Sequence, residues 1–544
     1  MQGGMMHVPL RIIEILRYAA ELHPAGEIVS VRTEGDLHRE SYATAYRRAA
    51  QLAHGLAGLG VTHGTRVATL AWNGYRHFEL YYAISGMGAV CHTINPRLSA
   101  EQMLYIITHA QDRVLCVDTS FVPLVEALAP QLPDDLVIVV LTDRAHMPDS
   151  ALDLLCYEEM LEGRPDTYDW PMMDETTAAA LCYTSGTTGH PKGALYSHRS
   201  TVLHAMTVAL TVPRSLHEGA RILPGVPMFH VNSWGLAYAA PLVGASLIMP
   251  GPRLDGAALF ELMEAERVTA SWGVPTVWLG LGAEIENRGH APATLDQLAI
   301  GGSAAPRAMI SFFETRGVDI CHAWGMTEMS PVGTQAQLPT GLGALDDAER
   351  LALKSKQGRR LFGVDLKIVD ATGATLPQDG IATGELFVRA NTVIAEYFDN
   401  ATATSRAFDA EGWFGTGDVA SIDPDGFLYI RDRAKDLIKS GGEWISSLDL
   451  ENIAMAHPKV ANCAVIAVPH PKWEERPLLV VVPRDVADPP GLDEIHAAMQ
   501  DHLARWQFPD ALEIVEDLPL TATGKVSKLD LRRRYAGYGL PDAG

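Results

Sequence analysis

Apolar positions recur first at helical spacing. Leu10, Ile13, Leu16 and Ala20 line one face of residues 9–23, which predicts an amphipathic helix. Residues 27–32 alternate as a strand does. Tyr42, Tyr46, Ala49, Ala53 and Leu56 mark one face of a second helix that stops near Gly58 and Gly60. The pattern then becomes short apolar runs at 67–72, 90–94, 114–117 and 136–141, with helical patterns between them at 76–85, 99–109 and 121–131. A second such series follows, with strands at 246–249, 268–272, 295–300 and 318–322 and helices at 256–266, 275–285 and 306–315. Alternation of this kind predicts α/β units with largely parallel sheets.

Beyond about residue 360 the texture shifts to short strands rich in glycine, such as 364–369 and 384–388, which predicts a β-rich subdomain. After Arg433 comes a last unit with strands at 460–468 and 478–482 and helices at 447–456 and 493–505. The expected organisation is a large N-terminal domain, 1–432, made of α/β subdomains plus a β-rich subdomain. A small mobile α+β domain, 433–544, completes it. A prior of about one domain per 150 residues allows three or four units in 544 residues.

Charge narrows the partners. The 43 Lys and Arg against 66 Asp and Glu leave a net −23, which argues against nucleic acid or an anionic membrane as ligand. The six cysteines are scattered with no Cys-x-x-Cys pair, so neither a disulfide framework nor a zinc site is expected. Charged residues interrupt the apolar stretch at 10–22, and no run approaches the roughly 20 apolar residues that span a bilayer. A cytoplasmic protein without a transmembrane segment is the expectation.

The chemistry concentrates in seven stretches. Run 183–193, Tyr-Thr-Ser-Gly-Thr-Thr-Gly-His-Pro-Lys-Gly, follows an apolar strand at 178–182. It gathers the hydroxyls of Thr184, Ser185, Thr187 and Thr188, glycines 186, 189 and 193, and Lys192. Backbone N–H groups beside glycine, hydroxyl donors and a lysine suit a polyphosphate. The composition also describes a flexible surface turn. A Walker loop is disfavoured, because Lys192 lies between Pro191 and Gly193. Run 228–235, Met-Phe-His-Val-Asn-Ser-Trp-Gly, would place His230 and Trp234 on one helical face, and taken alone reads first as a buried aromatic cluster. Gly301, Gly302, Ser303 and Ala304 follow a strand and precede a helix. His322, Ala323, Trp324, Gly325, Met326, Thr327 and Glu328 end the next one, with an aromatic able to stack on a base and a carboxylate able to hold Mg²⁺. Asp418 follows a glycine turn, where a carboxylate can accept two ribose hydroxyls. The densest basic cluster, Arg431, Arg433, Lys435 and Lys439, precedes Ser440, Gly441, Gly442, Glu443 and Trp444, and Lys525 sits on a late glycine loop. Each of these, alone, is also an ordinary turn or a solvated charged face.

Run 183–193 resembles the phosphate loop of the adenylate-forming superfamily, which includes acyl-CoA synthetases, luciferases and peptide-synthetase adenylation domains. The other stretches follow in that superfamily's order across nearly the whole chain. Residues 91–98 (Cys-His-Thr-Ile-Asn-Pro-Arg-Leu), the 183–200 run ending Tyr-Ser-His-Arg-Ser, and 440–447 are further similar to bacterial medium- and long-chain fatty acyl-CoA synthetases. That group includes the branch that activates 3-(methylthio)propionate.

The resemblance implies an AMP-forming acid–thiol ligase that uses ATP, CoA and Mg²⁺, with a possible homodimer. Lys525, His230, Thr184 and Glu328 are then the catalytic set, with Thr184 and Glu328 at the metal. The nucleotide is implied to lie on 184–189, Lys192, 302–304, 322–327, Asp418, Arg433 and Lys525. The acid is implied to lie along His230, Val231, Trp234, Gly301, Gly302 and Trp324. CoA would meet Lys435, the hinge, and residues 439–444. The superfamily usually has tyrosine where Trp324 stands. Loading of a carrier protein, a luciferase-like oxygenase and a nucleotide-sensing binding protein remain the competing readings at this point.

Overall fold

The computed structural model describes the 544-residue chain except Gln2, 185–189, 339–344, 522–524 and 541–544. Three sheets organise it. In the first, Arg66–Leu70, Val90–Thr93, Val114–Val117, Val137–Val140 and Leu154–Cys156 run parallel. Ala178–Tyr183 joins them in parallel, and Gly193–Ser197 turns back antiparallel beside it. Tyr397–Phe398 closes that edge on Gly193 and Ala194.

The second sheet has thirteen strands and contains both the expected second α/β series and the β-rich region. Its parallel part holds Arg221–Pro224, Ser246–Met249, Ala270–Gly273, Gln297–Ile300 and Asp319–Gly325. Asp319–Gly325 then changes partners. Residues 319–322 pair in parallel with Gln297–Ile300, whereas 323–325 pair antiparallel with Val332–Gln335. The antiparallel ladder continues through Gly358–Arg360, Phe427–Arg433, Phe414–Ile422, Gly384–Ala390 and Val364–Val369. The β-rich region is thus hydrogen-bonded onto the α/β sheet, and the joining strand carries His322, Ala323, Trp324 and Gly325.

One core fills the space between these two sheets, with Tyr42, Phe78, Tyr81, Tyr82, Trp234, Trp324 and Phe414 among its buried members. The parallel strands are buried on both faces, which explains their unbroken Val, Ala, Cys and Leu runs. Every residue of helix Tyr75–Gly86 is buried, charged ones included, and Glu79 there is held by Arg48 at 2.6 Å. Pairing is what makes a carboxylate tolerable at that depth.

The C-terminal unit carries its own sheet, with Val460–His470 and Glu474–Pro483 as a long hairpin and Ala511–Ile514 parallel to it. Separate apolar clusters line its two faces, one around Ile438, Leu450 and Val481, the other around Val480, Leu518 and Leu531. Helix Ser447–Met455 begins where Ser446 caps the Asp449 N–H. Several expected helices are shorter than their patterns. The 121–131 pattern is α-helical only over Val122–Leu128, and the 493–505 pattern only over Leu492–Met499. Pro130 ends the first. Among the described residues, no helix is long and apolar enough to cross a membrane.

Candidate active site

The foot of the 183–193 run is the base of an antiparallel strand pair. Tyr183 pairs with Gly193, the Thr184 N–H donates to the Lys192 carbonyl at 2.9 Å, and the Lys192 N–H reaches Thr184 Oγ1 at 3.4 Å. Gly193 has no room for a side chain, since a Cβ would fall 2.9 Å from Leu181 Cδ1. The tip of the run (Ser185, Gly186, Thr187, Thr188 and Gly189) lies outside the described residues. Lys192 Nζ stands 4.6 Å from the centre of the Tyr397 ring.

Facing it is the partner-switching strand. His322 Nε2 accepts the Ala305 N–H at 3.2 Å and so anchors the 301–305 turn. Burial pushes the His322 imidazolium down to about 4, which keeps the ring neutral and in the tautomer that accepts at Nε2. Gly325 passes so close to the Pro331 carbonyl that a Cβ would lie 2.0 Å away. Trp324 donates its indole N–H to Asp418 Oδ2 at 2.8 Å, while Arg433 Nε holds Oδ1 at 2.8 Å. Asp418 and Arg433 are register partners on adjacent strands, so this carboxylate is fixed by ladder geometry as well as by charge. Ser303 is exposed, and Ala304, Ala323, Met326 and Thr327 are half-buried around the same cleft. Thr327 and Glu328 open a single 3₁₀ turn. Tyr196 donates its hydroxyl to the Thr327 carbonyl, and Tyr397 donates to Glu328 Oε1 at 2.7 Å.

The 228–235 run corrects one expectation. Val231, Asn232, Ser233 and Trp234 all have positive φ, from 48° to 54°, so they form one left-handed turn. His230 and Trp234 therefore do not share the face of a right-handed helix. Four L-residues in this region cost roughly 1–2 kcal/mol each, and buried anchors hold them there. Ser233 Oγ donates to the Val226 carbonyl at 2.9 Å, and Asn73 Oδ1 accepts the Met228 N–H at 2.6 Å. The turn brings the Trp234 ring against Gly301 and Gly302, where Cβ atoms would meet it at 2.9 and 3.6 Å.

Lys525 enters this same place from the C-terminal unit. It sits at the end of a tight hairpin in which Leu520 and Val526 bridge and the Ser527 N–H reaches the Pro519 carbonyl at 2.7 Å. Its Cε lies 3.4 Å from where a Gly302 Cβ would stand. Burial, then the nearby Arg433 and Lys435 charges, push the ammonium down to about 8, opposed by Asp418 and Glu328. Burial and the Lys525 charge push His230 down to about 3, so its imidazole is neutral at any working pH. Lys525, His230, Trp234, Gly301, Gly302, Trp324, Asp418, Arg433 and Glu328 are thus brought to one cleft.

Residues 439–444 are placed differently. They form the hairpin of Ile438–Ser440 and Glu443–Ile445, with Gly441 and Gly442 at positive φ in the turn. Their polar contacts run within the small domain: Lys439 Nζ to Glu474 at 3.0 Å, the Gly441 N–H to the Trp473 carbonyl at 2.9 Å, and Ser440 Oγ to Arg476 at 3.0 Å. Trp444 is exposed. Lys435 is exposed, and partial desolvation lowers its pKa. Tyr397 and Tyr196 were not singled out from the sequence. They sit in runs with no charge pattern, and only the fold brings their hydroxyls to Glu328 and Thr327.

Residues 16–398 match the family described as AMP-binding enzyme, and 449–525 match its C-terminal domain. The chain is 48% identical over 544 residues to the medium-chain-fatty-acid–CoA ligase of Ectopseudomonas oleovorans, covering 98% of each. It is 48% identical over 537 residues to the 3-methylmercaptopropionyl-CoA ligase of Ruegeria pomeroyi, covering 98% of this chain and 99% of that one. It is 46% identical over 535 residues to the long-chain-fatty-acid–CoA ligase of Thermus thermophilus, covering 98% and 97%. The anthranilate CoA ligase AuaEII, solved with anthranoyl-AMP, superposes with a TM-score of 0.87 at 25% identity over 98% of this chain and 99% of that one. With matched family domains over most of its length and relatives this similar, the chain belongs to the adenylate-forming AMP-binding enzyme family, among its acyl-CoA synthetases.

Proposed function

We propose that this enzyme activates a medium-chain fatty acid as its acyl-AMP and then transfers the acyl group to CoA. The observation that carries this reading is Lys525, a cation from one domain set against Gly302 and His230 of the other, beside the Asp418–Arg433 pair. In the first step a carboxylate oxygen attacks the α-phosphorus of ATP and the bond to pyrophosphate breaks. No protein nucleophile is needed, so the residues act by charge and positioning. Lys525 offsets the negative charge shared by the carboxylate and the α-phosphate. His230, being neutral, contributes an N–H rather than a charge. Asp418 accepts the ribose hydroxyls, and Trp324 lies over the base. Glu328 and Thr184 supply hard oxygen donors of the kind Mg²⁺ takes, and would hold the ion that neutralises the phosphates. Lys192, with Ser185, Gly186, Thr187, Thr188 and Gly189, would grip the departing pyrophosphate.

In the second step the CoA thiolate attacks the acyl carbonyl and AMP leaves. The 439–444 hairpin must then replace Lys525 at the cleft, which calls for a rotation of the small unit that follows Arg433 against the large domain about Lys435. The short turn at 433–437 between a strand of the large sheet and a strand of the small one supports that pivot. Exchange of radiolabelled pyrophosphate into ATP, followed over C3 to C18 acids and 3-(methylthio)propionate, tests the reading together with thioester formation on CoA or on a holo-carrier protein. The expected maximum lies at C6 to C12 with CoA as acceptor. A maximum at 3-(methylthio)propionate, or acylation of a holo-carrier protein but not CoA, replaces the substrate assignment. No acid-dependent exchange at all overturns it.

A further inference from the structure

Tyr397 belongs to none of the motif residues, yet it touches two of them. Its ring face carries the Lys192 ammonium at 4.6 Å, and its hydroxyl donates to Glu328 Oε1 at 2.7 Å. The residue is 4% exposed. Its backbone is pinned on both sides: it pairs with Ala194, just past the phosphate run, and its N–H donates to Thr404 Oγ1 at 3.0 Å. The Ile394 N–H, three residues before it, donates to the Glu328 carbonyl at 2.9 Å. One short segment thus grips the strand behind Lys192 and both ends of Glu328.

A lysine and a glutamate aimed into one small cleft attract each other. A direct pair would neutralise the two charges that the polyphosphate and its cation need. An aromatic ring solves this by offering a separate partner to each: its π face to the ammonium, its O–H to the carboxylate. Both contacts are weaker than an ion pair and are readily exchanged for a phosphate oxygen and a metal ion.

We propose that Tyr397 is a positioning residue that keeps Lys192 and Glu328 apart and aimed at the triphosphate, the ring holding the lysine and the hydroxyl orienting the carboxylate. The inference rests on the reading of Lys192 and Glu328 given above.

Two substitutions separate the ring from the hydroxyl. Tyr397→Phe keeps the π face and removes the donor, whereas Tyr397→Leu removes both. Binding of α,β-methylene-ATP is measured by calorimetry, in EDTA and across a Mg²⁺ series, and binding of Mn²⁺ by electron paramagnetic resonance with that analogue present. Losing a hydrogen bond behind a metal carboxylate typically weakens the metal about 10-fold or more. Tyr397→Phe is therefore expected to raise the half-saturating Mn²⁺ about 10-fold while leaving analogue affinity in EDTA unchanged. Tyr397→Leu is expected to weaken the EDTA affinity as well, by roughly 3-fold or more. In a Glu328→Gln background, Tyr397→Phe should cause no further change in metal dependence. Unchanged Mn²⁺ binding in Tyr397→Phe overturns the proposal. So does an equal loss in both variants under both conditions, the result expected of a packing residue. The wild-type chain separates the two levels: no binding of the analogue by that chain removes the underlying nucleotide reading, whereas normal wild-type binding without the Phe/Leu split removes only the role of Tyr397.

Discussion

The two walls of the cleft are built by different physics. On the large-domain side, Trp324, Asp418, Arg433 and the 301–305 turn hang from strands in fixed register. Asp418 and Arg433 pair across adjacent strands, Trp324 donates to Asp418 from another strand of the same sheet, and His322 anchors the 301–305 turn. On the other side, Lys525 arrives on a short hairpin from a unit with its own core. A group fixed by sheet register keeps its place through both half-reactions. A group on a separately cored domain can be brought in for one step and removed for the next. On the proposed function, the difference gives nucleotide holding to the first wall and step-specific chemistry to the second.

Lys525→Ala tests this with the largest effect. Acyl-AMP formation should fall by about 10²–10³-fold, the scale of removing one charge-stabilising donor. Thioester formation from supplied acyl-AMP should stay within a few-fold of wild type. Equal losses, read by pyrophosphate release and by AMP release from synthetic acyl-AMP, would break the comparison. Asp418→Asn should behave in the opposite way. It removes a charged acceptor buried between Trp324 and Arg433, and a hydrogen bond to a charged group is worth about 1.5–3 kcal/mol. Both half-reactions should therefore lose about 10- to 100-fold in kcat/KM, and by similar factors, because AMP is held in each. A loss confined to adenylation would place Asp418 with Lys525 and blur the two walls.

The same contrast explains what was legible in the sequence. The parallel strands stood out because burial on both faces leaves unbroken apolar runs, and the phosphate run stood out because its hydroxyls and glycines are consecutive. The turn at 231–234 was misread, since helical spacing carries no handedness and Val231 and Trp234 are not residues that suggest positive φ. The β-rich region looked like a separate subdomain because its link to the parallel sheet is a change of partner within a single strand, 319–325, which leaves no mark in composition. Tyr397 went unnoticed for a similar reason: its two partners, Lys192 and Glu328, are far away in sequence and meet only across the sheet edge.

The smallest expected effect concerns protons on the moving wall. In the proposed function Lys525 works as a cation, and burial together with Arg433 and Lys435 brings its pKa down to about 8. The working form is therefore the one present below that pH, and kcat/KM for adenylation should decline as pH rises through it. The decline should be about 2-fold at pH 8 and approach 10-fold one unit higher, as for a single ionisation of the free enzyme. Neutral His230, whose imidazolium forms only near pH 3, adds no second limb between pH 5 and 9. Arginine stays protonated throughout this range, so Lys525→Arg should show a flat alkaline limb even though its maximal rate is lower. Pyrophosphate release is the measurement to use, because the thiol of CoA ionises in the same range and would contribute an alkaline limb of its own. A limb near pH 8 that persists in Lys525→Arg would assign the proton to another group and leave Lys525 with a positioning role alone.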